Sequence, residues 1–585
     1  MRKDNKMGES VTLKLSKSNA WTIIVTSIAL IIFLAAVVLG PFTQPQNVEI
    51  AFIAIIMLSI GVVILSITAR IGFSLTLTGI LFLTLSGVAY LKYLYLGNSL
   101  LISDLLYMTG TSLLKTLEEY PKLWTLALGY IVLISTLLLT VWKFAWRPFS
   151  VGRKVRHMAT MRLTACLLGA LVLGLSLWPQ GPFASLFAKT MWTPINENAY
   201  LTSFFMSINV MKVELPGVHN TPAENAAWGK LAKSQMRAGG SLRPDIILVL
   251  EESTFDPSTL PACDIPQCQG HSLFQSDEYT KSIGPMLSYV FGGGTWLSEF
   301  TVLTGMPHPL FGLAGGYAPW LVAPRIRDSL PLQLRRLGYR SIALYPVGGG
   351  YMNAREAYSN YGFDALYDAT DLGIQPWQSS DDTMFAATQR VYDRESKKFG
   401  QPIFMIVKTV KQHGPHDNHS LESLPAPYDK GLFPKLSSAA QLDLSNYLAR
   451  LDASDKAMKE LEKYFLKRER PTIVVSFGDH KPSFSGELAK MAVTPPPEFS
   501  GDPKYITYFK LNANFDTGDL PRYPVLDIAY IPGLILQAGR LQDDDYFSAT
   551  QHVRDVCNGM FMYCTNTLTL HGYYAWLFSD HKVYQ

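Results

Sequence analysis

Three places in this chain carry side chains that together could hold a divalent cation beside a nucleophile. Glu251-Glu252-Ser253 offers carboxylates, Phe291-Gly292-Gly293-Gly294-Thr295 offers a hydroxyl, and Phe477-Gly478-Asp479-His480 offers an adjacent carboxylate and imidazole. Two carboxylates (Glu252, Asp479), one imidazole (His480) and one hydroxyl (Thr295) make a four-ligand set for manganese or zinc, with magnesium a further candidate. Coordination would lower the pKa of the hydroxyl and make Thr295 the nucleophile. Each residue also has a plain structural reading. An Asp-His pair after a strand can be a turn with a surface histidine, Glu252 can be a solvated carboxylate, and a threonine ahead of an apolar helical run is a good N-cap. The helix N-terminus would favour an anion at Thr295 under either reading.

The elements that must bring these residues together are legible around them. Residues 244–250 and 472–476 are apolar, β-branched-rich runs that read as buried strands, and each runs straight into its acidic residues. Residues 340–345 and 402–410 add two further strands, and 332–337 and 444–466 read as helices. Strands alternating with helices argue a parallel or mainly parallel α/β sheet covered on both faces. Ligands of such sheets sit beyond the strands' carboxyl ends, which is where Glu252, His413 and Asp479 fall. Internal repeats and low-complexity tracts are absent.

The other half of the chain is apolar. Of 585 residues, 48% are hydrophobic and 17% charged, and the excess lies in residues 21–40, 50–69, 73–91, 124–142 and about 158–178. Each run is near the roughly 20 residues that cross a bilayer, so five transmembrane helices are expected. A cleaved signal peptide is the alternative for the first, but no small-residue cleavage site follows it. Cations cluster before the first span (Arg2, Lys3, Lys6, Lys14, Lys17), between the second and third (Arg70), and around the start of the fifth (Lys143, Arg147, Arg153, Lys154, Arg156, Arg162). These segments are therefore cytoplasmic, and everything after the fifth span lies outside. The expected organisation is a five-span membrane domain (1–180), a linker docking on both halves (181–242) and an extracytoplasmic domain (243–585). The loop after the third span carries two short apolar stretches, 101–106 and 113–117, suited to interfacial helices. Cys263 and Cys268, and Cys557 and Cys564, are two local pairs that read as disulfides of an oxidising compartment, with a four-cysteine zinc site as the competing reading. A net charge of +4 excludes a nucleic-acid role.

Taken in order, Glu252-Ser253, Gly292 to Phe300 with Leu303-Thr304-Gly305, Gly338-Tyr339-Arg340, Gln412-His413-Gly414-Pro415 and Phe477 to His480 resemble the sulfatase-type branch of the alkaline phosphatase superfamily. With the five-span anchor, the chain is similar to lipoteichoic acid synthases, phosphoglycerol transferases of periplasmic glucans and phosphoethanolamine transferases. The resemblance implies an alkaline phosphatase/sulfatase-type fold for the outer domain and a bacterial inner-membrane setting with a periplasmic or extracellular catalytic domain. It implies Glu252, Thr295, Asp479 and His480 as metal ligands, Thr295 as nucleophile and His413 as a catalytic, substrate-contacting histidine. His416 is its rival for that role. The aromatic-Asn-Arg motif that grips phosphoglycerol in the synthases is matched loosely by Tyr351 to Arg355, which makes Asn353 and Arg355 substrate-binding candidates. Where the family has glycine this chain has Lys481, whose ammonium would favour an anionic substrate.

The leading expectation is a transferase that moves phosphoglycerol or phosphoethanolamine from a phospholipid donor to an envelope glycan or lipid acceptor through a phosphothreonine. The alternative is a membrane-anchored phosphodiesterase or sulfatase-like hydrolase. Sulfate-ester hydrolysis is disfavoured because Gly292 to Trp296 offers neither the cysteine nor the serine that sulfatases oxidise. A transporter or scaffold would call for charges or breaks within the spans, and the spans show none.

Overall fold

The computed structural model describes residues 17–96, 99–107, 121–145, 155–187, 199–209, 213, 215–417, 419–484 and 486–585. Five apolar stretches form helices: α1 (Lys17–Leu39), α2 (Asn47–Thr68), α3 (Ile71–Leu96), α4 (Pro121–Phe144) and α5 (Val155–Leu177). At about 1.5 Å per residue each covers the roughly 30 Å hydrocarbon core of a bilayer. α1 packs on α3 and α2 on α5, yet large side chains face outward, with Ile31, Leu126 and Leu139 66%, 69% and 70% exposed. Such a surface is unfavourable in water and suited to lipid. At one end, Arg162 of α5 donates to the Ser66 and Ile67 carbonyls that close α2, next to Arg70. The cations at 2–14 and 147–154 and the 113–117 stretch lie outside the described residues. The first loop stretch forms a short helix, Ile102–Tyr107.

Between the two halves the chain touches both. Helix Tyr200–Met206 buries Leu201, Phe204 and Phe205 among α2, α3 and their neighbours. Helix Pro222–Ser234, opened by a Thr221/Glu224 capping box, lies on the outer domain through Trp228.

The outer domain is built on one eight-stranded sheet in the order β4-β3-β5-β1-β6-β7-β2-β8. The strands are β1 (Asp245–Glu251), β2 (Thr280–Leu287), β3 (Arg340–Leu344), β4 (Ala365–Tyr367), β5 (Ile403–Lys408), β6 (Thr472–Gly478), β7 (Ile506–Ala513) and β8 (Leu526–Asp527). β7 is antiparallel to both its neighbours and every other pairing is parallel, so the sheet is mixed but mainly parallel. Glu251 is in register with Gly478, which brings Glu252 and Asp479 to one level of the carboxyl edge.

Alternation along β1 divides the core. Ile246, Leu248 and Leu250 face helix α6 (Thr295–Thr304), with Leu297, Phe300 and Leu303, while Ile247 and Val249 face helix α7 (Ser438–Leu466), with Leu444, Leu448 and Leu451. Fully burying each such side chain contributes about 1.5–3 kcal/mol. The same alternation turns Glu252 to the α6 face, with the nucleophile, and Glu251 to the α7 face.

Candidate active site and metal centre

Gly292, Gly293 and Gly294 all have positive φ (70°, 158° and 89°), a run that residues with a Cβ would resist. The turn lets the Gly292 amide donate to the Lys481 carbonyl at 2.9 Å, tying the loop to the end of β6. Gly294 is then the N-cap and Thr295 the first helical residue. The threonine is therefore not the cap. Its hydroxyl donates instead to Glu252 Oε2 at 3.1 Å and lies 3.4 Å from His480 Nε2. Across the edge, Gly478 passes so close beneath the turn after β1 that an added Cβ would stand 1.8 Å from the Thr254 carbonyl oxygen.

The four ligand candidates converge and are buried. Ligand atoms of Glu252, Asp479 and His480 lie within 4.8 Å of one another. His480 Nδ1 is 3.0 Å from the Lys481 carbonyl, which can only accept, so Nδ1 carries the proton. Nε2 is the ring nitrogen left facing the site, 3.4 Å from Glu252 Oε1 and from Asp479 Oδ2. Asp479 Oδ1 accepts from the Ser253 and His480 amides, whereas its buried Oδ2 has no hydrogen-bond partner. An orphaned carboxylate oxygen, a second carboxylate, a bare imidazole nitrogen and a hydroxyl fit a divalent cation. Burial and then the Glu252 charge push the Asp479 carboxyl up. Burial also acts to raise Glu252, but His480, His413 and Lys408 outweigh it and hold that carboxyl below its usual value. Two acids whose environments push them apart mark a site that needs positive charge.

The remaining predicted residues are spread around this centre. His413 gives its Nδ1 proton to the Gly414 carbonyl at 2.7 Å and stands edge-on to Trp377, with ring centroids 5.0 Å apart; its Nε2 makes no hydrogen bond among the described residues. His416 differs. It is buried between Tyr447 and Phe484, its Nε2 donates to the Gln412 carbonyl at 3.0 Å, and burial, then Arg450, push it down to about 3. That environment ties His416 to the loop carrying His413. Lys481 donates from Nζ to the Pro503 carbonyl and lies over the Phe255 ring, so its ammonium is engaged there. Asn353 donates to the Pro319 carbonyl, and Arg355 pairs with Asp368 at 2.8 Å. Cys263–Cys268 and Cys557–Cys564 are bonded, and neither pair joins the metal set.

Sequence reasoning passed over a supporting layer. Lys408, at the end of β5, donates to Glu299 of α6 at 2.8 Å, both buried. Burial alone would lower the Lys408 pKa, but Glu299, Tyr345 and Glu252 hold it above the usual lysine value. Ser298 of α6 donates to the Asp479 carbonyl at 2.8 Å. The available signal was a lone charge inside each of two apolar runs, Lys408 and Glu299, since such residues are rarely buried unless paired.

Residues 244–517 match the family model described as Sulfatase. The matched stretch lies within the domain of residues 243–585, which is therefore similar to sulfatases and is joined to five apolar helices. Over 424 residues the chain is 24% identical to a putative cyclic beta-1,2-glucan modification protein of Rhizobium meliloti, covering 67% of this chain and 60% of that one. The chain spans about three fifths of the length of the curated relatives it matches first, 61% and 60%. Among solved structures, it is similar to the Streptococcus pyogenes phosphoglycerol transferase GacH in complex with sn-glycerol-1-phosphate (17% identity, TM-score 0.48, 64% of this chain and 99% of that one). It is also similar to the lipooligosaccharide phosphoethanolamine transferase EptA of Neisseria meningitidis (13% identity, TM-score 0.43, 88% and 94%).

Proposed function

We propose that this protein transfers a phospholipid headgroup, phosphoglycerol or phosphoethanolamine, to an envelope glycan or glycolipid through a phosphothreonine at Thr295. The observation that carries the reading is the orientation of Thr295, whose hydroxyl opens helix α6 but turns onto Glu252 and His480 instead of capping. A divalent cation, manganese or zinc foremost, held by Glu252, Thr295, Asp479 and His480, would favour the alkoxide and offset phosphate charge. Thr295 Oγ1, as the alkoxide, attacks the lipid phosphorus in line, the P–O bond to diacylglycerol breaks, and His413, carrying a proton on Nε2 as well as on Nδ1, gives the departing oxygen its Nε2 proton. The amides opening α6 face the charge that develops on the phosphoryl oxygens. In the second half, His413 takes the proton of the acceptor hydroxyl, whose oxygen displaces Thr295 from phosphorus. Asn353 and Arg355 are the proposed headgroup contacts. Lys481, held by Pro503, has no direct part in this scheme.

Five apolar helices fit a lipid donor, because a soluble ester would need no anchor. The proposed setting is the bacterial inner membrane with the catalytic domain outside. A reporter active only beyond the cytoplasm should work after Gln585 and fail after Arg153, and the reverse pattern would sink this topology. The chemical test is intact-mass analysis of the full chain with defined phospholipids. A headgroup-phosphate adduct on Thr295 should persist until an envelope acceptor is added. Rapid turnover in water to free headgroup phosphate, with no stimulation by acceptor, would identify a hydrolase instead.

A further inference from the structure

A charged node joins the membrane domain to the catalytic domain. Asp104, in the short helix after α3, uses both carboxylate oxygens. Oδ2 accepts from Lys92 Nζ of α3 at 2.7 Å and from the Leu101 amide at 2.7 Å, and Oδ1 accepts from the Tyr317 hydroxyl of the outer domain at 2.8 Å. Lys92 also donates to the Ser99 carbonyl, and the Ile102 amide donates to Ser207, which fixes the short helix to its own domain. Asp104 is 7% and Tyr317 2% exposed. The segment carrying Tyr317 reaches the catalytic centre on either side of it. The Gly316 carbonyl accepts from Trp296 Nε1 at 3.2 Å, directly beside Thr295, and the Pro319 carbonyl accepts from Asn353 at 3.0 Å.

We propose that Asp104 is a positioning residue: through Tyr317 and the segment ending at Pro319 it ties the nucleophile end of α6 to α3 and so sets the height of Thr295 above the bilayer. Among the described residues the apolar cores of the two domains are separate. The Lys92–Asp104 pair lies within the membrane domain and holds the carboxylate in place, and the Tyr317 hydroxyl bond carries that position across to the other domain. Register matters because a lipid phosphodiester is held in the headgroup plane, and a displacement of about 1 Å from attack geometry can cost on the order of 100-fold in rate.

This inference rests on the proposal that the donor is a phospholipid, and the experiment separates the two. Tyr317→Phe and Asp104→Asn are prepared as full chains in nanodiscs containing phosphatidylglycerol and phosphatidylethanolamine, and phosphothreonine formation is timed. The same chains are given dihexanoyl analogues of both lipids as dispersed monomers in solution. Transfer from the bilayer lipid should fall by about tenfold or more, with the soluble analogues changed by less than about twofold. Equal losses on both donors, or none on either, would overturn the positioning role. Hydrogen exchange of amides 310–317 supplies a readout independent of chemistry, expected to quicken by about tenfold or more in Tyr317→Phe. If the wild type turns over neither donor, the proposed function fails and exchange alone decides: unchanged protection rejects the coupling, and lost protection upholds it. Should Asp104→Asn not insert, the single-hydroxyl change at Tyr317 carries the test.

Discussion

β1 holds a buried carboxylate at its amino end and delivers another just past its carboxyl end, and the two are treated in opposite ways. At the amino end every lone pair of Asp245 is engaged: Arg470 grips both oxygens, the Tyr392 hydroxyl donates at 2.5 Å and the Ile403 amide at 2.8 Å. At the other end each Glu252 oxygen accepts a single hydroxyl, from Ser253 and from Thr295, and the group faces a second acid, Asp479, whose Oδ2 has no hydrogen-bond partner among the described residues. The strand, the burial and the chemical group are shared, so only the surroundings differ. A carboxylate that supports the fold is neutralised by its own chain, whereas one kept for chemistry leaves lone pairs that an outside charge must satisfy.

The sharpest way to break this contrast is at the reacting atom. Thr295→Ala should reduce headgroup transfer by on the order of 10⁴-fold or more, since removing a nucleophile leaves only binding and charge stabilisation. The fold should survive, because the hydroxyl caps no helix. Substantial transfer by this variant at normal expression would remove Thr295 as nucleophile. Next in size, Asp479→Asn and His480→Ala should weaken divalent-ion binding by about 100-fold or more, losing a ligand where even supporting partners cost 10- to 100-fold. Elemental analysis that finds the same ion content in both variants would end the proposed ligand set.

The carboxyl edge was more legible than the sheet that builds it. Strands β1, β3, β5 and β6 announce themselves as apolar runs, and Glu252 and Asp479-His480 follow two of them directly. β2 gives no such signal because it contains Gly284-Pro285, a pair that normally argues against a strand. It is tolerated because the outer side of β2 is paired only at Met286 and Leu287. β7 alternates Tyr508, Lys510 and Asn512 on one face with Phe509 and Leu511 on the other, a strand signal whose antiparallel direction no local pattern encodes. The Lys408–Glu299 pair and the Asp104–Tyr317 bond join residues 109 and 213 positions apart. Such contacts depend on the completed fold.

At the amino end the contrast predicts a different phenotype. Asp245→Asn should lower stability by roughly 2–3 kcal/mol, the scale of hydrogen bonds to a charged group, because Arg470 and Tyr392 lose their acceptor. Ion content should not change. Denaturant melts beside elemental analysis would check both halves, and a loss of bound ion in this variant would mean that the two ends of β1 are not independent.

The same contrast should separate the two histidines of the loop after β5. His413 keeps a ring nitrogen for chemistry, so His413→Ala should cost about 10²–10⁴-fold in transfer, with little change in stability. His416 resembles Asp245 in being satisfied from within, and His416→Phe should cost only about 1 kcal/mol of folding stability for its lost hydrogen bond, with transfer reduced far less. Its titration gives a further sign to test. Burial holds His416 down to about 3 from an ordinary 6.5, so below pH 6.5 the unfolded chain takes up a proton that the folded chain refuses. Stability contributed by His416 is therefore present above pH 6.5 and falls as the pH drops toward 3. The Phe variant lacks that group, so the wild type's lead in melting stability should shrink, and then reverse, as the pH falls from 7 to 5. A lead that grows over that range, or a transfer loss as large as that of His413→Ala, would show that His416 takes part in the chemistry after all.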